Sequence, residues 1–158
     1  MTGFLMYLSV RLQGQRIICC WWEPTVQVLF CMDVATGELL NHYMNNGDDD
    51  KSLSGNTVSD ICVDESGVVW IGTSTNGISY LDPEMPDVYR IRHERNNDNS
   101  LKSDHVNVMF QDSEGDYWYG TNNGVSLYQP RSRKWTHYLD GTEYSGKVVL
   151  ALAEDSGG

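Results

Sequence analysis

Four histidines, His42, His93, His105 and His137, are the side chains of this 158-residue sequence best suited to acid–base or metal chemistry, and their spacing does not support it. They fall in separate segments, with no i, i+4 pair and no cysteine beside any of them, so neither a zinc site nor a catalytic pair is indicated. The cysteines add nothing: Cys19 and Cys20 are adjacent, Cys31 sits in an apolar run, and Cys62 lies between Ile61 and Val63 with no C-x-x-C spacing. Asp112, Glu114 and Asp116 alternate as in a calcium loop. However, Gly115 stands at the fourth position of that loop rather than the sixth, and no glutamate closes it, so a turn is the better reading. There is no Gly-x-Ser-x-Gly nucleophile elbow. What remains is neutral hydrogen-bonding chemistry. Asn, Asp, Ser and Thr crowd residues 43–57 and 95–105, Ser74-Thr75-Asn76 and Asn122-Asn123, the donor and acceptor set that a sugar's hydroxyls require. Turns favour the same residue types, and both readings stand at this point.

The frame that positions these loops is a repeat. Asp64 and Trp70 recur as Asp112 and Trp118, 48 positions on, whereas Gly77 and Pro83 recur as Gly124 and Pro130, 47 positions on, one residue being lost between Thr73 and Gly77. A period in this range signals stacked units. Within one unit, residues 58–63 are strand-like and stop at Asp64-Glu65-Ser66-Gly67. Residues 68–73 and 77–81 follow as strands around Ser74-Thr75-Asn76, residues 82–86 break the chain, and residues 87–92 make a fourth strand. The next unit runs through 106–111, 116–121, 124–129 and 134–138. Four short antiparallel strands with a Trp and several Gly describe one propeller blade. In the second strand Trp70 and Gly72 face one way and Val69, Ile71 and Thr73 the other, which fits a sheet covered on both sides. Gly72 and Gly120 are expected to let the neighbouring blade approach closely.

Upstream the pattern decays. Trp22 precedes Trp70 by 48 positions and Asp33 precedes Asp82 by 49, but no Gly-Thr follows Trp22, so a degenerate blade is read from strands at 5–10, 15–22, 26–33 and 38–43. Downstream, residues 148–153 and Asp155-Ser156-Gly157-Gly158 repeat a first strand and its turn. The expected fold is therefore all-β: a partial β-propeller of four-stranded antiparallel blades of about 48 residues in an incomplete circle. Its parts are a degenerate first blade (1–45), two blades (46–93 and 94–142) and the truncated first strand of another (143–158). Such a piece is expected to belong to a longer protein, or to pair its open ends with other copies.

In this architecture the linkers entering each first strand meet the loops between second and third strands at one mouth. The candidate ligand-binding residues there are His105, Asn122, Asn123, Thr75 and Asn76. Trp70 and Trp118 read as blade packing rather than sugar platforms, and Trp135 and Tyr138 as cover for the outer edge. No catalytic residue, metal or cofactor is expected. A formal net charge of −11, from 11 Lys and Arg against 22 Asp and Glu, disfavours nucleic acid and anionic membrane surfaces as partners. The apolar run at 4–10 has no basic residue before it and no small-residue cleavage site after it. It is a poor signal peptide and too short to span a bilayer.

Trp-x-Gly-Thr followed by Asn-Gly-Ile or Asn-Gly-Val, the Asp-x-x-Gly turn before it, and Ser-Leu in the linkers Asp48-Asp49-Asp50-Lys51-Ser52-Leu53 and Asn96-Asn97-Asp98-Asn99-Ser100-Leu101 together resemble the two-component regulator propeller repeat. The resemblance covers about residues 29 to 158. It implies the periplasmic sensor of a hybrid two-component regulator of the Bacteroidetes type, a non-enzymatic propeller that detects glycan fragments and signals through a membrane helix to a histidine kinase. The implied partners are an oligosaccharide and further blades, with the membrane reached only through other regions. Two other classes remain open: a propeller enzyme similar to streptogramin lyase, against which no His with an acid partner recurs, and a protein-interaction scaffold.

Overall fold

The computed structural model describes residues 6–12, 15–22, 28–82, 85–139 and 147–155. Period-two segments bounded by Asp, Asn and Gly turns become strands of five to eight residues. The first sheet holds β1 (Met6–Leu12), β2 (Gln15–Trp22), β3 (Val28–Asp33) and β4 (Leu39–Tyr43). The second holds β5 (Val58–Val63), β6 (Val69–Thr73), β7 (Ile78–Asp82) and β8 (Met85–Ile91). The third holds β9 (Val106–Gln111), β10 (Tyr117–Thr121), β11 (Gly124–Gln129) and β12 (Lys134–Tyr138). Each is an antiparallel meander in chain order, so the described residues form three four-stranded blades and contain no helix. One strand boundary differs from expectation. Met85 and Pro86 open β8 instead of breaking the chain, because β8 is the outer strand of its sheet, where a proline has no ladder partner to deprive.

The blades stack through their faces. First strands lie innermost, with β5 beside β9 and also beside β1. Every residue of β6 is buried. Val69 and Ile71 pack with Leu29, Cys31, Leu53, Val58, Ile61 and Val88 between the first and second blades. Trp70, on the other face, packs with Ile78, Leu101, Val106, Met109 and Tyr119 between the second and third. The alternation seen in the sequence thus divides β6 between two cores, as a blade with neighbours on both sides requires. Gly72 faces the third blade, where a Cβ would lie 3.1 Å from Val106 Cγ1. At Gly120 a Cβ would lie 2.8 Å from Val149 Cγ1. Close approach at both glycines is the reason for a residue with no side chain.

Residues 147–155 are extended against the third blade without an assigned strand partner. Gly124 N donates to Lys147 O and Val149 N to Thr121 O, at 3.1 and 3.0 Å. Residues 143–146 and the Ser156-Gly157-Gly158 turn lie outside the described residues, as do residues 1–5, 13–14 and 23–27 of the first unit.

Candidate functional site

The turn that opens β6 begins with Asp64. Its Oδ1 accepts from Ser66 N and Val68 N, and its Oδ2 accepts Trp70 Nε1 at 2.9 Å. Gly67 supplies the positive φ of 87° that closes this turn, and Gly115 does the same at 84° in the next copy. There Asp112 Oδ1 accepts Glu114 N and Asp116 N, and Oδ2 accepts Trp118 Nε1 at 2.6 Å. The alternating carboxylates thus serve the turn, Asp116 also accepting Gln129 Nε2. Trp70 is 7% exposed and lies 4.6 Å from the Tyr117 ring and 4.8 Å from the Tyr80 ring, so it fills the blade interface and offers no sugar a face. Trp135 lies tilted against Tyr119 and Tyr128, and Tyr138 stacks on Trp118.

The opposite end of each β6-type strand carries the loops of interest. Thr73 Oγ1 donates to Gly77 O and accepts Asn76 N, and Thr121 Oγ1 donates to Gly124 O and accepts Asn123 N. The Thr of Trp-x-Gly-Thr is therefore the clasp that shapes the loop between second and third strands. The sequence marks the loops but not this clasp, because Thr stands four residues before Gly77 in one copy and three before Gly124 in the next. Linkers join the loops through backbone bonds: Ser74 N to Thr57 O, Gly77 N to Asp104 O, and Asn122 N to His105 O at 3.1 Å. The five candidate residues lie at this one end. Asn122 and His105 are brought together across the third blade, with Asn122 Oδ1 also accepting Asn107 Nδ2 at 2.9 Å. Thr75 and Asn76, bonded to each other at 2.6 Å, occupy the loop of the second blade, with Gly55 beneath Asn76. Thr75, His105 and Asn122 are exposed, while Asn76 and Asn123 are half-buried. Among the described residues the His105 ring and the Asn123 side-chain amide have no hydrogen-bond partner.

Much of the linker polarity, by contrast, is consumed internally. Arg90 on β8 reaches back to the carbonyls of Asp49, Ser52 and Leu53 and to Ser52 Oγ at 2.7–3.2 Å, with Asp50 at 3.5 Å. In the third blade His137 takes that place, with Nε2 on Asp98 O at 3.0 Å and Nδ1 on Ser126 Oγ. Ser52 and Ser100 cap their own linker turns, and Leu53 and Leu101 beside them are buried. His93 Nδ1 donates to Leu101 O. The linkers are thus built pieces, and the candidate set narrows to their last residues and the Thr-clasped loops. The described residues contain no cluster of His, Cys, Asp and Glu able to hold a metal ion.

Residues 52–75 and 100–123 match the model of the two-component regulator propeller. No curated protein matches the chain. Among solved structures, it is similar to an extracellular domain assigned to a hybrid two component system of B. thetaiotaomicron, BT3049. The identity is 20% and the TM-score 0.65, over 82% of this chain and 17% of that one. It is also similar to the extracellular domain assigned to a one component system of the same organism, BT4673, at 16% identity and TM-score 0.54, over 85% of this chain and 21% of that one. The chain thus spans about one fifth of the length of these structures or less, and the likeness establishes the propeller fold.

Proposed function

The chain carries two-component regulator propeller repeats at residues 52–75 and 100–123, and from that premise we propose that it supplies ligand-sensing blades to the periplasmic sensor of a hybrid two-component system. The ligand is a glycan fragment, bound without chemical change at the end where His105, Asn122, Asn123, Thr75 and Asn76 converge. The observation that carries this reading is the geometry of that end. Exposed neutral donors and acceptors sit on loops fixed by Thr73 and Thr121, and adjacent blades are joined there by the backbone bond from Gly77 to Asp104. A polyhydroxylated molecule spanning loop and linker would bridge two blades, and a change in their spacing is a signal that a downstream kinase can read. Pre-formed loops suit this role because little ordering free energy opposes binding.

Titration calorimetry with a panel of defined oligosaccharides tests the reading. One member of the panel is expected to bind, and the double variant His105→Ala, Asn122→Ala is expected to weaken it at least about tenfold, the loss of one or two hydrogen bonds at a binding site. Unaltered affinity in a folded double variant contradicts it.

A further inference from the structure

The dipeptide Asn-Gly stands at Asn46-Gly47, Asn76-Gly77 and Asn123-Gly124. With no Cβ on the glycine to obstruct it, the glycine nitrogen of this pair can attack the Cγ of the preceding side chain. That attack needs a glycine N–H free to lose its proton and room for the asparagine to close over it. The fold treats the three pairs differently.

Gly77 N donates to Asp104 O at 2.8 Å, and Gly124 N to Lys147 O at 3.1 Å, so both nitrogens are engaged. Both glycines are buried, with φ of 77° and 85°, and a Cβ on either would collide with a main-chain oxygen, that of Ile91 or of Tyr138. Asn76 Oδ1 is in turn occupied by the Thr75 hydroxyl. Gly47 differs in each respect. It is exposed, a Cβ there would meet nothing within 4 Å, and among the described residues its N–H has no hydrogen-bond partner. Asn46 is exposed too, and its side chain is folded back along the chain, with Oδ1 accepting Asp48 N at 3.1 Å. This bond arches the side chain over the intervening Gly47 nitrogen. The same N–H would stabilise the negative charge that builds on Oδ1 as that nitrogen adds to Cγ. The main chain of Asn46 is held for the attack by Ser52 Oγ, which accepts Asn46 N at 2.8 Å and donates to Asn46 O at 2.9 Å, and by Asp49 N, which donates to Asn46 O at 3.1 Å.

We propose that Asn46-Gly47 is a spontaneous deamidation and isomerisation site of the folded chain, and that the other two Asn-Gly pairs are silenced by their place between loop and linker. Gly47 N bonds to Asn46 Cγ, the Cγ–Nδ2 bond breaks, and Nδ2 leaves as ammonia, taking up the proton that Gly47 N gives up. Water then opens the cyclic imide. Attack at Cγ leaves aspartate on the original main chain. Attack at the former main-chain carbonyl leaves isoaspartate, whose chain runs through Cγ and whose carboxylate contains the atom that had been Asn46 O. Water is consumed, ammonia is released, and nothing is oxidised or reduced. The isoaspartate product takes away the main-chain acceptor of Asp49 N and Ser52 Oγ, and it adds a charge beside Asp48, Asp49 and Asp50. This loosens the linker between the first and second blades that Arg90 ties down.

Incubation of the chain in mildly alkaline buffer made with heavy-oxygen water, followed by peptide mapping, tests the proposal. In the folded chain Asn46 is expected to take up label at least about tenfold faster than Asn76 or Asn123, which react only in the fraction of molecules locally open. In the urea-unfolded chain the three sites are expected to react alike. Comparable rates at the three sites in the folded chain, or no labelling of folded Asn46 while the unfolded chain is labelled there, overturns the proposal. So does a preference for Asn46 that persists in urea, because the fold would not be its source. The isoaspartate-bearing chain is expected to exchange the Asp49 amide faster than the Asn46→Asp variant, which carries the charge on an unaltered main chain. Equal exchange in the two overturns the loosening of the linker. Failure of the oligosaccharide titration leaves these readouts unmoved.

Discussion

Asp60 stands on the innermost strand of the second blade, and its carboxylate ties that strand to the third by accepting Met109 N at 2.7 Å. Burial is the larger influence on its acidity and raises the carboxyl above its ordinary 3.8, while the amides of Met109 and Ile61 oppose the rise. The native state therefore holds this proton more tightly than the unfolded chain. The stability from this group is full below the ordinary value and is lost as pH rises through the raised one. Asp60→Asn keeps an acceptor for Met109 and removes the charge. It is expected to flatten the fall in stability as pH rises above the ordinary carboxyl value of 3.8, measured by urea unfolding across a pH series. A steeper fall in the variant contradicts this. Tyr117 is the complementary case, with burial first and then the Asp64 carboxylate holding its hydroxyl well above the usual phenol range. Tyr117→Phe keeps the ring on Trp70 and deletes the bond to Asp64, at an expected cost of about 1.5–3 kcal/mol in denaturant unfolding. A negligible change would show that the bond does not join the blades.

At the scale of elements, the linkers separate what local sequence encodes from what it does not. Ser-Leu was legible as a repeated signal, and the turns around Asp64 and Asp112 were legible because Asp, Gly and Trp act on one another within six residues. Arg90 was not legible. Its targets lie 37–41 positions away and, apart from Ser52 Oγ, are main-chain carbonyls, which leave no mark on residue type. The other copy performs the task with His137, so no repeat drew attention to either. Tyr117 was hidden for the same reason, since the second blade has Val69 in its place and uses it to pack on the first. The candidate ligand residues follow from loop position, which the repeat fixes. Which of their neighbours are already bonded needed the structure. Arg90→Met keeps the aliphatic stem and loses the carbonyl bonds. It is expected to speed amide exchange at residues 49–53 at least about tenfold while β5 to β7 keep theirs. Unchanged exchange there would mean that Ser52 and Asn46 hold the linker without it.

For the whole molecule, the repeat yields two ends with different tasks. Asp-x-x-Gly-x-x-Trp builds one end, where turns and aromatic rings lock blade to blade. Thr-clasped loops and linker termini build the other, where exposed Asn, Thr and His side chains collect. The proposed sensing role needs this division, because a binding surface is of use only if the scaffold under it transmits a change in blade spacing instead of absorbing it. The proposed function confines ligand contact to the second of these ends, and amide chemical-shift mapping during titration with the oligosaccharide panel measures where contact falls. Shifts concentrated at Thr75, Asn76, His105, Asn122 and Asn123 are predicted. Shifts concentrated around Asp64 and Asp112, or no response to any member of the panel, would contradict it.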